Sequence, residues 1–135
     1  MKNKTDLVKS WIRKADNDLK TAISALEGKE APPTDTICFH AQQCVEKYLK
    51  AYLVHNSIHF PYIHKLKELA LLCATVDKVF EILSTEIETL TPYAVEIRYP
   101  DDDLSDPPVE TAMEAVEIAR KVKKFVLDRL PELPE

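Results

Sequence analysis

Ile37-Cys-Phe-His-Ala-Gln-Gln-Cys-Val-Glu-Lys-Tyr-Leu-Lys-Ala-Tyr-Leu-Val54 contains neither glycine nor proline. Projected at about 100° per residue, Ala41, Tyr52, Val45, Cys38 and Leu49 fall together, with Tyr48, Cys44 and Ala51 on one flank and Leu53 on the other. The apolar arc spans about 200°, far wider than the stripe of a surface helix. Two or more neighbouring helices must therefore cover it. The remaining arc carries His40, Gln43, Lys47 and Lys50, with Glu46 beside them. Two fixed cations, an imidazole and an amide can all donate hydrogen bonds to an anion. An ordinary solvated helix face uses the same residue types.

The chain has 135 residues, enough to bury one core without disulfides or metal. It is 45% hydrophobic and 30% charged with a single glycine, a profile that suits helices and leaves little material for tight strand turns. Phosphate-binding loops of the Walker or GxGxxG type need several glycines for close backbone approach and are excluded. A formal net charge of −5 argues against broad DNA or RNA binding but leaves room for a local basic site. No apolar run approaches the ~20 residues of a membrane span. The N-terminal Met-Lys-Asn-Lys-Thr-Asp leads directly into an amphipathic pattern rather than a signal peptide. A cytoplasmic location without membrane association is expected. Cys38, Cys44 and Cys73 are odd in number, lack CxxC spacing and sit in apolar stretches, as buried thiols do.

Around the central stretch the periodicity places four further helices. The first runs from a cap at Thr5 or Asp6 to Glu27, buries Val8, Trp11, Ile12, Ala15, Leu19, Ala22, Ile23 and Leu26, and ends with Gly28 in a left-handed conformation. Asp18 lies about 20° from Trp11 on the edge of that arc. A carboxylate there requires a cation, and Lys47, Lys50 and Arg98 are the candidates. The central helix is capped by Thr34 or Asp35 and ends near His55. The third spans about Lys65 to Thr75. The fourth starts near Asp77 and runs through Phe80, Leu83, Ile87, Leu90, Ala94 and Ile97, with a kink or restart at Pro92. The fifth starts at Asp106 with Pro107 in its first turn, turns Val109, Ala112, Met113, Val116, Ala119, Val122, Val126 and Leu127 inward, and stops at Pro131. Two arcs this wide imply a compact bundle or a dimer interface.

Metal chemistry finds little support. His55 and His59 have helical ligand spacing, but the helix end falls between them. Asp101, Asp102 and Asp103 could meet Mg²⁺ through water, as could many acidic loops.

His40-Ala-Gln-Gln-Cys-Val-Glu46-Lys47-Tyr-Leu-Lys50-Ala51 closely resembles the signature helix of the HEPN domain family of small prokaryotic helical proteins. The resemblance continues through Ala15-Asp-Asn-Asp18-Leu19 and Ala22, His64-Lys-Leu66 and Leu69, and Arg98-Tyr99-Pro100, covering most of the chain in order. It implies an all-α fold, a four- to five-helix up-down bundle in one domain over residues 1–135, as a homodimer. Some members are metal-independent RNases of toxin–antitoxin systems, in which an Arg is followed four to six residues later by His; the Arg polarises the phosphodiester and the His moves protons. Here Arg98 is followed by Tyr-Pro-Asp-Asp-Asp-Leu-Ser, and no His follows His64, so catalysis by that arrangement is not expected.

A second group of such proteins, encoded beside a minimal nucleotidyltransferase, also carries Arg-Tyr-Pro. What this implies is a partner subunit that binds a nucleotide or forms a complex with that transferase. The candidate site is His40, Gln43, Lys47, Lys50, His64 and Arg98, supported by Asp18, Glu46 and Tyr99, with no cofactor or metal. Two alternatives stand beside it: an RNase with a non-standard site, in which the fold brings His40 or His64 near Arg98, and a structural homodimer without a ligand.

Overall fold

The computed structural model describes residues 3–28, 31–60, 63–93 and 106–131, and every regular element among them is helical. In order they are α1 (Lys4–Leu26), α2 (Thr34–His55), α3 (Leu66–Ala74), α4 (Phe80–Glu88), a 3₁₀ turn (Thr91–Tyr93) and α5 (Val109–Arg129). The expected all-α bundle is what forms, and α2 is its axis. Fourteen of the twenty-two residues of α2 are buried, so neighbours must surround it. It packs most extensively on α1, then on α5, and more lightly on α3 and the 3₁₀ turn.

All nine residues assigned to the apolar arc of α2 lie in the core. Each neighbour closes it with its own stripe: Val8, Ala15, Leu19 and Ala22 from α1, Leu66, Leu69, Ala70 and Cys73 from α3, and Ala112, Ala115, Val116, Ala119, Val122 and Val126 from α5. The small residues at 15, 22, 112, 115 and 119 let the helices approach closely. Phe80 enters from α4 between Tyr52, at 4.8 Å between ring centroids, and Phe125, at 4.9 Å. From helix five, Val109, Met113 and Leu127 were expected inward and instead lie on the outer surface.

Helix ends depart from expectation for local reasons. The first cap is Asn3, whose side chain accepts from the Asp6 N–H at 2.9 Å, so Asp6 is served rather than serving. Gly28 does not adopt a positive φ; Glu27 closes α1 through an N–H to the Ile23 carbonyl at 3.0 Å. The left-handed residue is Ser57, φ 58°, after α2. There the Ile58 N–H meets the Leu53 carbonyl at 2.9 Å and the Ser57 N–H meets that of Val54 at 3.0 Å, the hydrogen-bond pair of a Schellman ending. Helix α2 starts after Pro33 with no side-chain cap, and the Asp35 carboxylate accepts from the Thr36 N–H at 2.8 Å. Helix α4 ends at Glu88, ahead of Pro92, because that ring crowds the Glu88 carbonyl and supplies no donor. The Thr89 hydroxyl closes it on the Glu86 carbonyl at 2.6 Å. Ala94 and Ile97 lie outside the described residues. Helix α5 starts at Val109, not Asp106, since consecutive prolines hold Asp106 and Pro107 out of helical geometry.

One clasp joins distant elements. Asp77, in the turn before α4, accepts from the Val79 N–H at 3.0 Å and from Arg129 Nε at 2.8 Å. The Val79 N–H first, then Arg129, holds its carboxyl below the ordinary range. The Arg129 guanidinium also stacks on Phe125, 3.4 Å from the ring centroid.

Burial pushes the Cys73 thiol up to about 12 and moves Cys44 and Tyr52 upward as well; Tyr48 is raised by burial and then by its hydrogen bond to Asp16. The native state keeps these protons where the unfolded chain releases them, above about pH 8.5 for thiols and 10 for phenols. Their contribution is therefore complete below that range and is lost as pH rises toward the native values. Urea midpoints are expected to fall steadily from about pH 8 to pH 11; a flat profile would contradict the assigned burial. Ser57→Gly, which relieves a left-handed serine, is expected to raise unfolding free energy by ~0.5–1 kcal/mol in urea titration.

Candidate functional site

The polar arc of α2 is not a solvated face. Glu46 and Lys50 are 7% and 5% exposed and Gln42 is fully buried. Charges withdrawn from water must be paired to persist, and here the pairing forms two adjoining groups along the helix.

The first group centres on Asp18 of α1, itself 8% exposed. Its Oδ2 accepts from Lys47 Nζ, and its Oδ1 lies 2.8 Å from His40 Nδ1. An ionised carboxylate only accepts, so His40 Nδ1 carries a proton, and whenever the ring is neutral it is Nε2 that keeps its lone pair. The side chains of His40 and Lys47 keep 21% and 22% of their surface accessible. Asp18 thus fixes both the tautomer of an imidazole and the place of an ammonium on the accessible edge of the cluster.

The second group lies one turn further along. Lys50 Nζ donates to Glu46 Oε2 at 3.0 Å and lies 3.2 Å from His64 Nδ1, which is itself 3.3 Å from the same carboxylate oxygen. One ring nitrogen cannot accept from the ammonium and donate to the carboxylate together, so His64 accepts from Lys50 when Nδ1 is bare and donates to Glu46 when Nδ1 carries a proton. The Lys50 ammonium also sits 5.4 Å and 5.8 Å from the ring centroids of Trp11 and Phe60, a desolvated cation–π setting. Gln43 Nε2 donates to Gln42 Oε1 at 2.7 Å, and Gln42 reaches Glu46 Oε1 at 3.5 Å. No buried polar side-chain atom among the described residues lacks a partner.

The structure therefore brings together His40, Gln43, Lys47, Lys50 and His64 with Asp18 and Glu46. Arg98 and Tyr99 lie outside the described residues, as do Asp101, Asp102 and Asp103. Of the two lysines expected to face a ligand, Lys47 is at the accessible edge and Lys50 is buried against Glu46, while His64 exposes 68% of its side chain. Gln42 was missed, although it falls within about 20° of Leu49 on the helical projection, a signal for burial. Missed too was Asp16, which accepts from the buried Tyr48 hydroxyl and from Lys123 Nζ at 3.0 Å. The sequence offers no periodic cue for a bond spanning α1, α2 and α5. Among the described residues no group of three or more His, Cys, Asp or Glu could hold a metal ion, and no helix is long and apolar enough to cross a membrane.

Two grooves of similar size flank α5 instead. One, about 500 Å³, lies against α4 and is lined by Glu86, Met113, Glu114, Glu117, Ile118 and Lys121. The other, about 510 Å³, lies against α1 over Leu19, Ile23 and Leu127, between Lys20, Arg120, Lys123 and Lys124 and the carboxylates of Asp16 and Asp128.

Comparison with known proteins yields consistent matches. A family model described as the HEPN domain matches residues 8–130. A Methanocaldococcus jannaschii protein named as a candidate toxin, MJ1304, is 29% identical over 138 aligned positions, spanning 92% of this chain and 88% of that one. The crystal structure of ST0689, an archaeal HEPN homologue, superposes with a TM-score of 0.73 over 96% of this chain and 98% of its own, at 22% identity.

The buried pair supplies a direct test of the cluster. Glu46→Gln leaves the Lys50 ammonium without its carboxylate and is expected to cost ~3 kcal/mol in urea unfolding, whereas the double change Glu46→Gln with Lys50→Met recovers most of that loss. A single-variant cost below ~1 kcal/mol, typical of a surface bridge, would show that the pair is not closed off from water.

Proposed function

The chain belongs to the HEPN domain family, and from that premise we propose that it is the nucleotide-binding subunit of a toxin–antitoxin-type pair, working in the cytoplasm with a minimal nucleotidyltransferase. The observation that carries the proposal is the Asp18–His40–Lys47 group, which sets an ammonium donor and the Nε2 acceptor of His40 at the accessible edge of an otherwise buried helix. Lys47 and Arg98 would meet phosphate. Gln43, His40 and the exposed His64 would orient the rest of the ligand. Lys50 and Glu46 would hold His64 in place rather than touch phosphate, since both are withdrawn from solvent. Likeness to a candidate toxin supports the toxin–antitoxin context.

A second reading has a specific observation behind it. With Asp18 fixing the proton on Nδ1, His40 Nε2 is the acceptor that a general base needs. It could take the proton from an RNA 2′-hydroxyl while O2′ attacks phosphorus to give a 2′,3′-cyclic phosphate and the 5′-oxygen departs with a proton drawn from water, with Lys47 or Arg98 balancing charge on the phosphoryl oxygens.

Thermal unfolding with added ATP or GTP separates the two. Binding stabilises the native state by about 2.7 kcal/mol at a ligand concentration of 100 Kd. Under the first reading, nucleotide raises the melting temperature, Lys47→Gln removes the rise, and RNA is left intact. Under the second, RNA is cut and His40→Gln reduces the rate ~100-fold or more. Absence of both a thermal shift and RNA cleavage sinks the site in either form.

A further inference from the structure

Phe39 stands on the wrong side of α2 for an apolar residue. On the helical projection it falls within about 20° of Glu46 and Lys50 and about 40° from Gln43, in the middle of the polar strip and away from the apolar arc. Its side chain is half-buried, yet it is not among the partly buried apolar residues that pack on the core, such as Trp11, Phe60 and Ile118. Its ring contact among the described residues is with the His40 imidazole, at 5.1 Å between centroids and an interplanar angle of 76°. A T-shaped contact with one ring covers at most one face of the phenyl. Core packing therefore does not account for this side chain, and its ring partner belongs to the Asp18 cluster.

That cluster sets out three chemistries in order along one edge. Phe39 meets His40, His40 Nδ1 donates to Asp18 Oδ1 at 2.8 Å, and the other oxygen of the same carboxylate accepts from Lys47. One carboxylate thus draws the Lys47 ammonium back toward the turn that carries His40 and Phe39, the direction in which helical side chains already lean. Phenyl, imidazole and ammonium become consecutive neighbours, the order in which a nucleotide presents base, sugar and phosphate. Gln43 follows Phe39 by one turn on the same strip. Its Nε2 is committed to Gln42 at 2.7 Å, which leaves Oε1 as the acceptor for an amino group on a base.

From this arrangement we propose that Phe39 is the stacking platform for the base of the bound nucleotide, so that the site takes a whole nucleoside phosphate rather than phosphate or polyphosphate alone. The inference rests on the nucleotide reading of the Asp18–His40–Lys47 group and adds to it a source of affinity that carries no charge. Every base has a π-face, and stacking on an aromatic side chain tolerates any of them. The platform also answers an electrostatic difficulty. The chain has a formal net charge of −5, and Lys50 is closed off against Glu46, so Coulomb attraction on the strip is weak for a polyanion. Stacking supplies what the charges do not.

Isothermal titration of the full chain with ATP and with inorganic triphosphate tests the platform. Wild type is expected to bind ATP at least ~10-fold more tightly than triphosphate. Phe39→Leu, which keeps apolar bulk without a π-face, is expected to bring ATP down to the triphosphate level and to leave triphosphate where it was. Phe39→Trp is expected to keep ATP binding, and its added indole emission to be quenched by ATP but not by triphosphate, beyond any response of Trp11 in wild type. Circular dichroism checks that each variant is helical; should Phe39→Leu unfold, the Phe39→Trp emission decides. Equal affinity of wild type for the two ligands, or ATP binding untouched by Phe39→Leu yet abolished by Lys47→Gln, overturns the platform and leaves the phosphate-centred site standing. Loss of both ligands in folded Phe39→Leu overturns it too, since the ring would then only brace His40. Failure of wild type to bind ATP at all overturns the nucleotide reading and the platform together.

Discussion

Everything in this fold follows from burying α2 on nearly every side. A helix whose apolar arc covers more than half its circumference leaves no room for an ordinary wet face, so the polar residues on the remaining strip are drawn inward with it. Desolvated, they must find protein partners or be lost. Asp18 of α1 and Glu46 of α2 meet that demand, one carboxylate for Lys47 and one for Lys50. Core and site are therefore not separate regions. The same geometry that excludes water from Leu49 and Leu53 also locks the positions of His40 and Lys47, which is the kind of support a binding site needs.

The periodicity of apolar residues revealed most of the core and little of the polar chemistry. Every residue assigned to the α2 arc is buried, because a 3.6-residue period over eighteen positions free of glycine and proline has no competing interpretation. Helix ends were less readable. Gly28 looked like the left-handed residue, yet Ser57 takes that conformation, where the Schellman hydrogen bonds and a contact from Lys4 to its hydroxyl at 3.1 Å hold it. Terminal geometry is decided by what the chain must do next rather than by one residue's preference. On helix five, Val109, Met113 and Leu127 were assigned inward from hydrophobicity alone, although they share a stripe with Glu117, Arg120 and Lys124 that their charges turn toward water.

The cluster itself was half visible. His40, Gln43, Lys47 and Lys50 share a strip by spacing, and Asp18 stood out as a carboxylate near an apolar arc. What spacing cannot convey is which carboxylate meets which cation. Lys47 and Lys50 are both within reach of an acid, and only the helix packing assigns the first to Asp18 and the second to Glu46. The resulting pairing alters the electrostatic picture of the α2 strip: two lysines that look like a positive patch in one dimension become two carboxylate pairs in three, of which only the Lys47 pair keeps an accessible edge. The less compensated positive charge among the described residues lies along α5, where Lys20, Arg120, Lys123 and Lys124 face three carboxylates, Asp16, Glu117 and Asp128.

The placement of α5 also governs how the chain can be assembled during synthesis. Helix α5 covers a flank of α2, and Arg129 reaches back across 52 positions to clasp Asp77. Until that last described helix leaves the ribosome, Phe80 lacks its ring contact with Phe125, and the side of α2 that α5 covers stays open to water. A nascent chain paused before residue 109 would thus present a sticky hydrophobic trough, a substrate for holding chaperones rather than a half-finished native protein.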